Sequence, residues 1–334
     1  MGSICKSCWI WVRSEPVSAM LERRNDTPSS SLPRVAVLLA AYNGVNWLEL
    51  QLDSILKQAG VQISVFISVD PSTDGTEQWC ASCAKKHAHV TLLPPAGIFG
   101  GAARNFFRLI RDVDFQSFEY IALSDQDDIW YQDKLERAVK KLQSNDFDAY
   151  SSNVTAFWPC GRSMLLDKAQ PQVEWDYLFE AAGPGCTYVL TRHLAQAFKA
   201  SLTERWEPAQ KISLHDWYCY AFARSHGFRW FIDPMPSMDY RQHTSNQVGA
   251  NTGIAAFMTR LKTIGNGWWP EQVLLIARLT ESDSPLPYAV GKFKRSHFLK
   301  LIFKSGQCRR RRRDKFLFVV ACLAAALSIS NQTH

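Results

Sequence analysis

The first sustained apolar run is Val35-Ala36-Val37-Leu38-Leu39-Ala40-Ala41. No polar residue alternates within it, which suits a strand covered on both faces, as in a parallel sheet. Tyr42-Asn43-Gly44 makes a turn, after which Trp47, Leu48, Leu52, Ile55 and Leu56 recur at helical spacing. A second strand over 63–69 stops at Asp70, and the polar turn 71–76 opens a helix that Asp74 or Thr73 is placed to cap. Residues 90–93 read as a third strand. Residues 97–105 read as a loop rich in Gly and Ala, leading into a helix over 106–113, and 120–123 read as a fourth strand. Strand and helix alternate four times, which predicts an α/β fold with a mostly parallel, doubly wound central sheet flanked by helices.

The fourth strand runs directly into Ser124-Asp125-Gln126-Asp127-Asp128-Ile129-Trp130. Carboxylates at the C-terminal end of such a strand sit where open α/β sheets place their ligands. Like charges this close repel and call for a compensating cation. A hard divalent ion, Mn²⁺ or Mg²⁺, shared with substrate phosphates would supply it. The plainer alternative is a solvated acidic turn that caps the helix after Trp130. Earlier strand ends repeat the theme: Tyr42 and Asn43 offer a ring and an amide, and Asp70 could accept from a base imide N–H. Asn-Gly and Asp-Gly are also ordinary turn dipeptides. The loop Gly100-Gly101-Ala102-Ala103-Arg104-Asn105 matches neither the GxxxxGK[ST] nor the GxGxxG fingerprint. Its small residues before a helix still permit close approach of an anion, with Arg104 nearby.

The net charge is +7, and Arg309 to Arg313 contribute five of those charges in one run. A local basic tail is therefore expected, and no nucleic-acid-binding domain. Two CxxC pairs, Cys5/Cys8 and Cys80/Cys83, lie far apart with no His completing a ligand set, so a zinc site is not expected. The odd cysteine count and the absence of a signal peptide favour a reducing cytoplasm.

Ala40-Ala41-Tyr42-Asn43-Gly44, Gln51-Leu52-x-Ser54-Ile55-Leu56-x-Gln58, Ser72-Thr73-Asp74-Gly75-Thr76 and Ser124-Asp125-Gln126-Asp127-Asp128-Ile129-Trp130 together resemble the family 2 glycosyltransferases of GT-A fold. The likeness is to rhamnosyltransferase-like members of bacterial polysaccharide assembly and runs from about Arg34 to Asn251. Many members carry two acidic residues where this chain has Val69-Asp70, so the base contact rests on Asp70 alone. The resemblance implies a nucleotide-sugar site at Ala41, Tyr42, Asn43, Asp70, Arg104, Asp125 and Gln126. It implies metal ligands Asp127, Asp125 and His243, the last within Tyr240-Arg241-Gln242-His243. It places the general base at Asp216, and acceptor-side or supporting roles at Asp128, Trp130, Gly185, His215, Trp217 and Arg241. The implied reaction is inverting transfer of a sugar, first of all from dTDP-rhamnose, to a lipid-linked or saccharide acceptor. The rival readings are a catalytically inactive binding subunit and a nucleotidyltransferase, whose Gly-rich, Lys-containing first loop is missing here.

The expected organisation is a flexible arm over 1–33, a transferase domain over 34–251 with a nucleotide-binding half to residue 130, and a helical extension over 252–334. In that extension 254–261 and 273–279 read as amphipathic helices. The apolar segment 316–327 is shorter than the roughly 20 residues a membrane span needs. Beside the basic run it suits either a peripheral contact with an anionic membrane on the cytoplasmic side or a helix packed on the domain.

Overall fold

The units β1 (Arg34–Ala41), α1 (Val45–Leu56), β2 (Gln62–Val69), α2 (Thr76–Lys86), β3 (Val90–Leu92), α3 (Ala102–Asp112) and β4 (Tyr120–Ser124) form the first half of the fold. The computed structural model describes residues 31–144, 146–243, 267–281 and 293–330, so the helix expected over 254–261 lies outside the described residues. β1 is buried from Val35 to Ala41 because both faces are covered. Ala36, Leu38 and Ala40 pack in one core layer with Phe106, Phe107 and Ile110 of α3. Val35, Val37, Leu39 and Ala41 pack in the other with Leu48, Leu52 and Ile55 of α1. Each buried Leu or Phe of this kind contributes about 1.5–3 kcal/mol.

The chain continues through β5 (Ile129–Trp130), α4 (Lys134–Gln143), β6 (Ala149–Ser152), β7 (Val154–Phe157) and β8 (Ser163–Leu166). After two 3₁₀ turns, Asp176–Leu178 and Gly185–Thr187, come β9 (Val189–Thr191), α5 (Arg192–Glu204), α6 (Trp206–Ala209), α7 (His215–Ser225), β10 (Trp230–Asp233) and β11 (Met238–Arg241). The helices α8 (Trp268–Leu279), α9 (Arg295–Phe303), α10 (Ser305–Cys308) and α11 (Arg312–Ser330) follow. The seven-stranded sheet has the order β10-β6-β9-β4-β1-β2-β3 and is parallel except for β9. A four-stranded sheet, β5-β11-β7-β8, stands beside it. Successive strands run outward from β1 to β3, then the chain returns to the other side of β1 as β4. That reversal is the switch point at which such sheets open a ligand crevice.

Two boundaries depart from the pattern. α3 begins at Ala102 rather than Phe106, because Gly101 at the helix start accepts the Asn105 N–H and Ala102 and Ala103 are good helix formers. The basic run is not a solvated tail throughout. Arg309 donates to the Phe179 carbonyl, Arg310 is buried between Asp176, Tyr220 and the Ala181 carbonyl, and Arg311 pairs with Asp167 at 2.8 Å. Phe318 of α11 packs edge-on to Phe179 and Trp269, so the C-terminal helix is clasped to the transferase core. No described helix is long and apolar enough to cross a membrane.

Candidate active site

The β1–β2 and β1–β4 registers align Ala41 with Val69 and Leu39 with Ser124, so three strands end along one edge of the sheet. α1 holds the loop after β4 through a polar stripe on its buried side. Gln51 Nε2 donates to Ser124 Oγ, Ser54 Oγ accepts the Trp130 N–H, and Gln58 Oε1 accepts the Leu135 N–H while its amide donates to the Tyr131 carbonyl. Gln126 is clamped to the end of β1: its Oε1 accepts the Tyr42 N–H at 2.7 Å and its Nε2 donates to the Tyr42 carbonyl at 2.8 Å. That side chain lies against Gly44, where any Cβ would collide with it.

Four acids converge from this loop and from the second half. Asp128 is 1 % exposed; Oδ1 accepts the Arg241 N–H at 3.1 Å and Oδ2 is buried without a hydrogen-bond partner among the described residues. Asp127 Oδ2 lies 2.7 Å from His243 Nε2, and Arg241 Nε donates to the Asp127 carbonyl. β11 makes this possible: it pairs antiparallel with β5, matching Asp239 to Ile129, and so delivers Arg241 and His243 to the loop. The His243 ring stacks on Trp47 with centroids 4.4 Å apart. Asp125, half-buried, shares a donor group with Asp128 and Cys186, whose ligating atoms all lie within 4.8 Å of one another. Burial, then the charges of Asp127 and Asp216, push Asp125 up to about 7. Burial followed by the charges of Asp127 and Asp125 raises Asp128 well above the carboxylate range.

A cation already lies beneath this cluster. Lys134, at the first position of α4, is fully buried, with Nζ 2.8 Å from the Cys186 carbonyl and 3.2 Å from the Trp130 ring centroid. Burial pulls it down to about 7 against the raising effect of Cys186, Asp128 and Asp125. The Cys186 thiol is pushed up by its own burial and by those carboxylates, which keeps it a neutral donor.

Asp216 is in the first turn of α7, half-buried, with Oδ1 accepting the Trp217 N–H at 2.7 Å. Burial pushes it up to about 6, eased by that N–H and by Lys168. Gly185 abuts this turn: an added Cβ would run into His215 Nε2 and lie 3.1 Å from Asp216 Cβ. His215 is buried, stacks on Phe106 at 4.0 Å and is pulled down to about 3 by burial, so it is neutral.

Other residues named from the sequence have structural partners. Asn43 Oδ1 accepts the Thr73 N–H, in a left-handed turn at φ 45°. Asp70 accepts the N–H groups of Phe99 and Gly100 with its two oxygens, which shapes the loop before α3. Arg104 donates to the carbonyls of Phe99 and Gln210. Trp217 is 4 % exposed and donates to the Tyr177 carbonyl, placing it in the core rather than in the crevice. Tyr42 is 55 % exposed at the crevice edge. Lys134 is not named from the sequence, and Trp47 and the Gln51–Ser54–Gln58 stripe enter there only as helical spacing and family likeness, not as site residues. For Lys134 a signal existed, since it shares a helical arc with the buried Leu135, Ala138, Val139 and Leu142.

An acid cluster stands at the switch point of a mostly parallel sheet, near a carboxylate from the second half, where the sequence resemblance to GT-A sugar transferases implies the nucleotide-sugar site. The family model for glycosyl transferase family 2 matches residues 36–200, and the chain belongs to that family. It is 44 % identical over 283 residues to dTDP-rhamnosyl transferase RfbG of Shigella flexneri, covering 84 % of this chain and 98 % of that protein. It is 26 % identical over 168 residues to UDP-Glc:alpha-D-GlcNAc-diphosphoundecaprenol beta-1,3-glucosyltransferase WfgD of Escherichia coli, covering 49 % of this chain and 62 % of that one. The fold matches S. aureus TarS 1–349 with a TM-score of 0.54 at 14 % identity, over 90 % of this chain and 82 % of that chain.

Proposed function

We propose that this chain is an inverting rhamnosyltransferase, taking its sugar from dTDP-rhamnose and passing it to a lipid-linked or saccharide acceptor in cell-surface polysaccharide assembly. The observation that carries the reading is the likeness to RfbG over nearly all of that protein's length. The meeting of Asp125, Asp127, Asp128 and Asp216 in one crevice supplies the chemistry.

The carboxylates of Asp127 and Asp125 and the imidazole of His243 are donors that suit a hard divalent ion, although Asp125 groups with Asp128 and Cys186 rather than with His243. Asp127 Oδ2 and His243 Nε2, 2.7 Å apart, already face each other and would offer two such donors side by side. The unpartnered Asp128 oxygen adds acceptor capacity beside them. Asp127, His243 and Asp125 would hold Mn²⁺ or Mg²⁺, which when bound neutralises charge on the leaving diphosphate. Asp216 Oδ receives the proton of the acceptor hydroxyl as that oxygen attacks the anomeric carbon. The Trp217 N–H orients the carboxylate for this, and neutral His215 packs behind it without competing for the proton. Tyr42 flanks the nucleoside, while Asp70 and Arg104 hold the 97–101 loop that borders it.

A cytoplasmic location at an anionic membrane surface suits a lipid-linked acceptor. Leu299 and Phe303 on α9 and Phe316, Leu323 and Leu327 on α11 are exposed, with Lys300, Lys304, Arg312 and Arg313 exposed near them in sequence. The experiment that tests the functional reading is donor binding and turnover across dTDP-, UDP- and GDP-sugars with Mn²⁺, Mg²⁺ or EDTA. Metal-dependent turnover of dTDP-rhamnose supports it; turnover of another donor alone, or of none, refutes it.

A further inference from the structure

We propose that Lys134 is a positioning residue that sets the separation between the donor acids and the general base. The assignment rests on the roles given above to Asp125–Asp128 and to Asp216. Lys134 has no exposed surface, and among the described residues its ammonium donates one hydrogen bond, to the Cys186 carbonyl at 2.8 Å. On its other side it sits on the face of Trp130, the residue that ends the acid loop, and its charge interacts with Asp128 and Asp125.

Cys186 is the middle residue of the 3₁₀ turn Gly185–Thr187. That turn is seated so tightly on α7 that a Cβ at Gly185 would collide with His215 and crowd Asp216. The Lys134 amine therefore joins the loop carrying the acids of the donor half to the turn that packs against the start of α7, where the base sits. Burying an ammonium is costly, and an apolar side chain on the same helical arc would avoid that cost. The buried hydrogen bond to the Cys186 carbonyl is what an apolar residue would lack. A lysine serving the core alone would affect folding and leave the chemistry of folded molecules unchanged.

The test compares Lys134→Met and Lys134→Arg with wild type for calorimetric binding of dTDP with Mn²⁺, kcat for transfer, the share of donor lost to hydrolysis, and Tm. For Lys134→Met the expectation is dTDP affinity within about threefold of wild type and kcat reduced by about 100-fold, with hydrolysis gaining on transfer, because a misplacement near 1 Å has that effect on rate. A folded Lys134→Met enzyme with wild-type kcat overturns the proposal. Should that variant fail to fold, Lys134→Arg decides: it keeps the charge, but its longer planar head displaces the turn. The expectation is retained dTDP binding with kcat down by at least about tenfold, and wild-type kcat overturns the proposal. A wild-type protein that binds dTDP with Mn²⁺ and turns over its donor, while both variants match it, leaves the functional reading standing and removes this one. Wild type that turns over no donor removes both.

Discussion

Asp216 sits where function and stability oppose each other. Its carboxyl is pushed by burial from 3.8 to about 6 in the folded protein. The folded state thus binds this proton more tightly than the unfolded chain, and ionisation costs stability progressively as pH rises from about 4, fully above about 6. The base form needed for catalysis is the costly one. We expect kcat/KM to fall as pH drops through about 6, read from a pH–rate profile. Asp216→Asn should lower transfer by about 10²–10⁴-fold with dTDP affinity kept, and should stabilise the fold at pH 8 by about 1–2 kcal/mol after allowance for solvent screening. A calorimetric Tm at pH 8 that does not rise would show that the carboxylate is better solvated than its burial implies. At the metal-facing side, His243→Ala should weaken Mn²⁺ binding by about 10–100-fold, measured by Mn²⁺ titration, because His243 is held between Asp127 and the Trp47 ring.

Among the elements, α1 shows what periodicity can and cannot reveal. Its apolar positions Leu48, Leu52 and Ile55 announced a helix and its buried face. Gln51, Ser54 and Gln58 lie on that same buried side. A hydrophobic pattern treats such residues as solvent-facing, and only the packed structure shows that they satisfy the loop after β4 and the start of α4. Gln58→Leu would leave the Leu135 N–H and the Tyr131 carbonyl without this partner. It should cost about 1–3 kcal/mol, measured by urea unfolding, with a loss of donor affinity as the acid loop loosens. Unchanged stability would mean that water replaces the amide. α3 starts four residues before the position that the sequence pattern predicts, for a related reason: Gly100-Gly101 reads as loop, yet Gly101 alone caps the helix and Ala102 enters it.

For the molecule as a whole, the arginine run is the element whose meaning changed most. Composition offered a basic tail beside an apolar helix, free either to meet lipid or to pack. Arg309, Arg310 and Arg311 are tied to acids and carbonyls far back in the chain, while Arg312 and Arg313 remain exposed. Removing the buried partner in Arg310→Ala leaves Asp176 with Arg224 as its remaining ion pair. We expect a loss of about 3–5 kcal/mol in urea unfolding. In vesicle sedimentation, the protein should bind anionic vesicles in preference to neutral ones, and Phe303→Ser with Phe316→Ser should weaken that binding; equal partition to both lipids would sink the membrane reading.

The sequence by itself determined the α/β alternation, the both-faces burial of β1, and the chemistry clustered at Asp125–Asp128, because these follow from local periodicity and from residue types adjacent in the chain. It carried Asp216 and His243 only through resemblance, since nothing local distinguishes a reacting carboxylate from a helix-start Asp. Tertiary structure alone decided which side chains face the crevice. β11 had to pair with β5 before His243 met Asp127, and Gly185 had to yield its Cβ before the base could approach. Lys134 had to be enclosed before its charge mattered. Those relations join residues 31 to 116 positions apart, and no short window along the chain contains them.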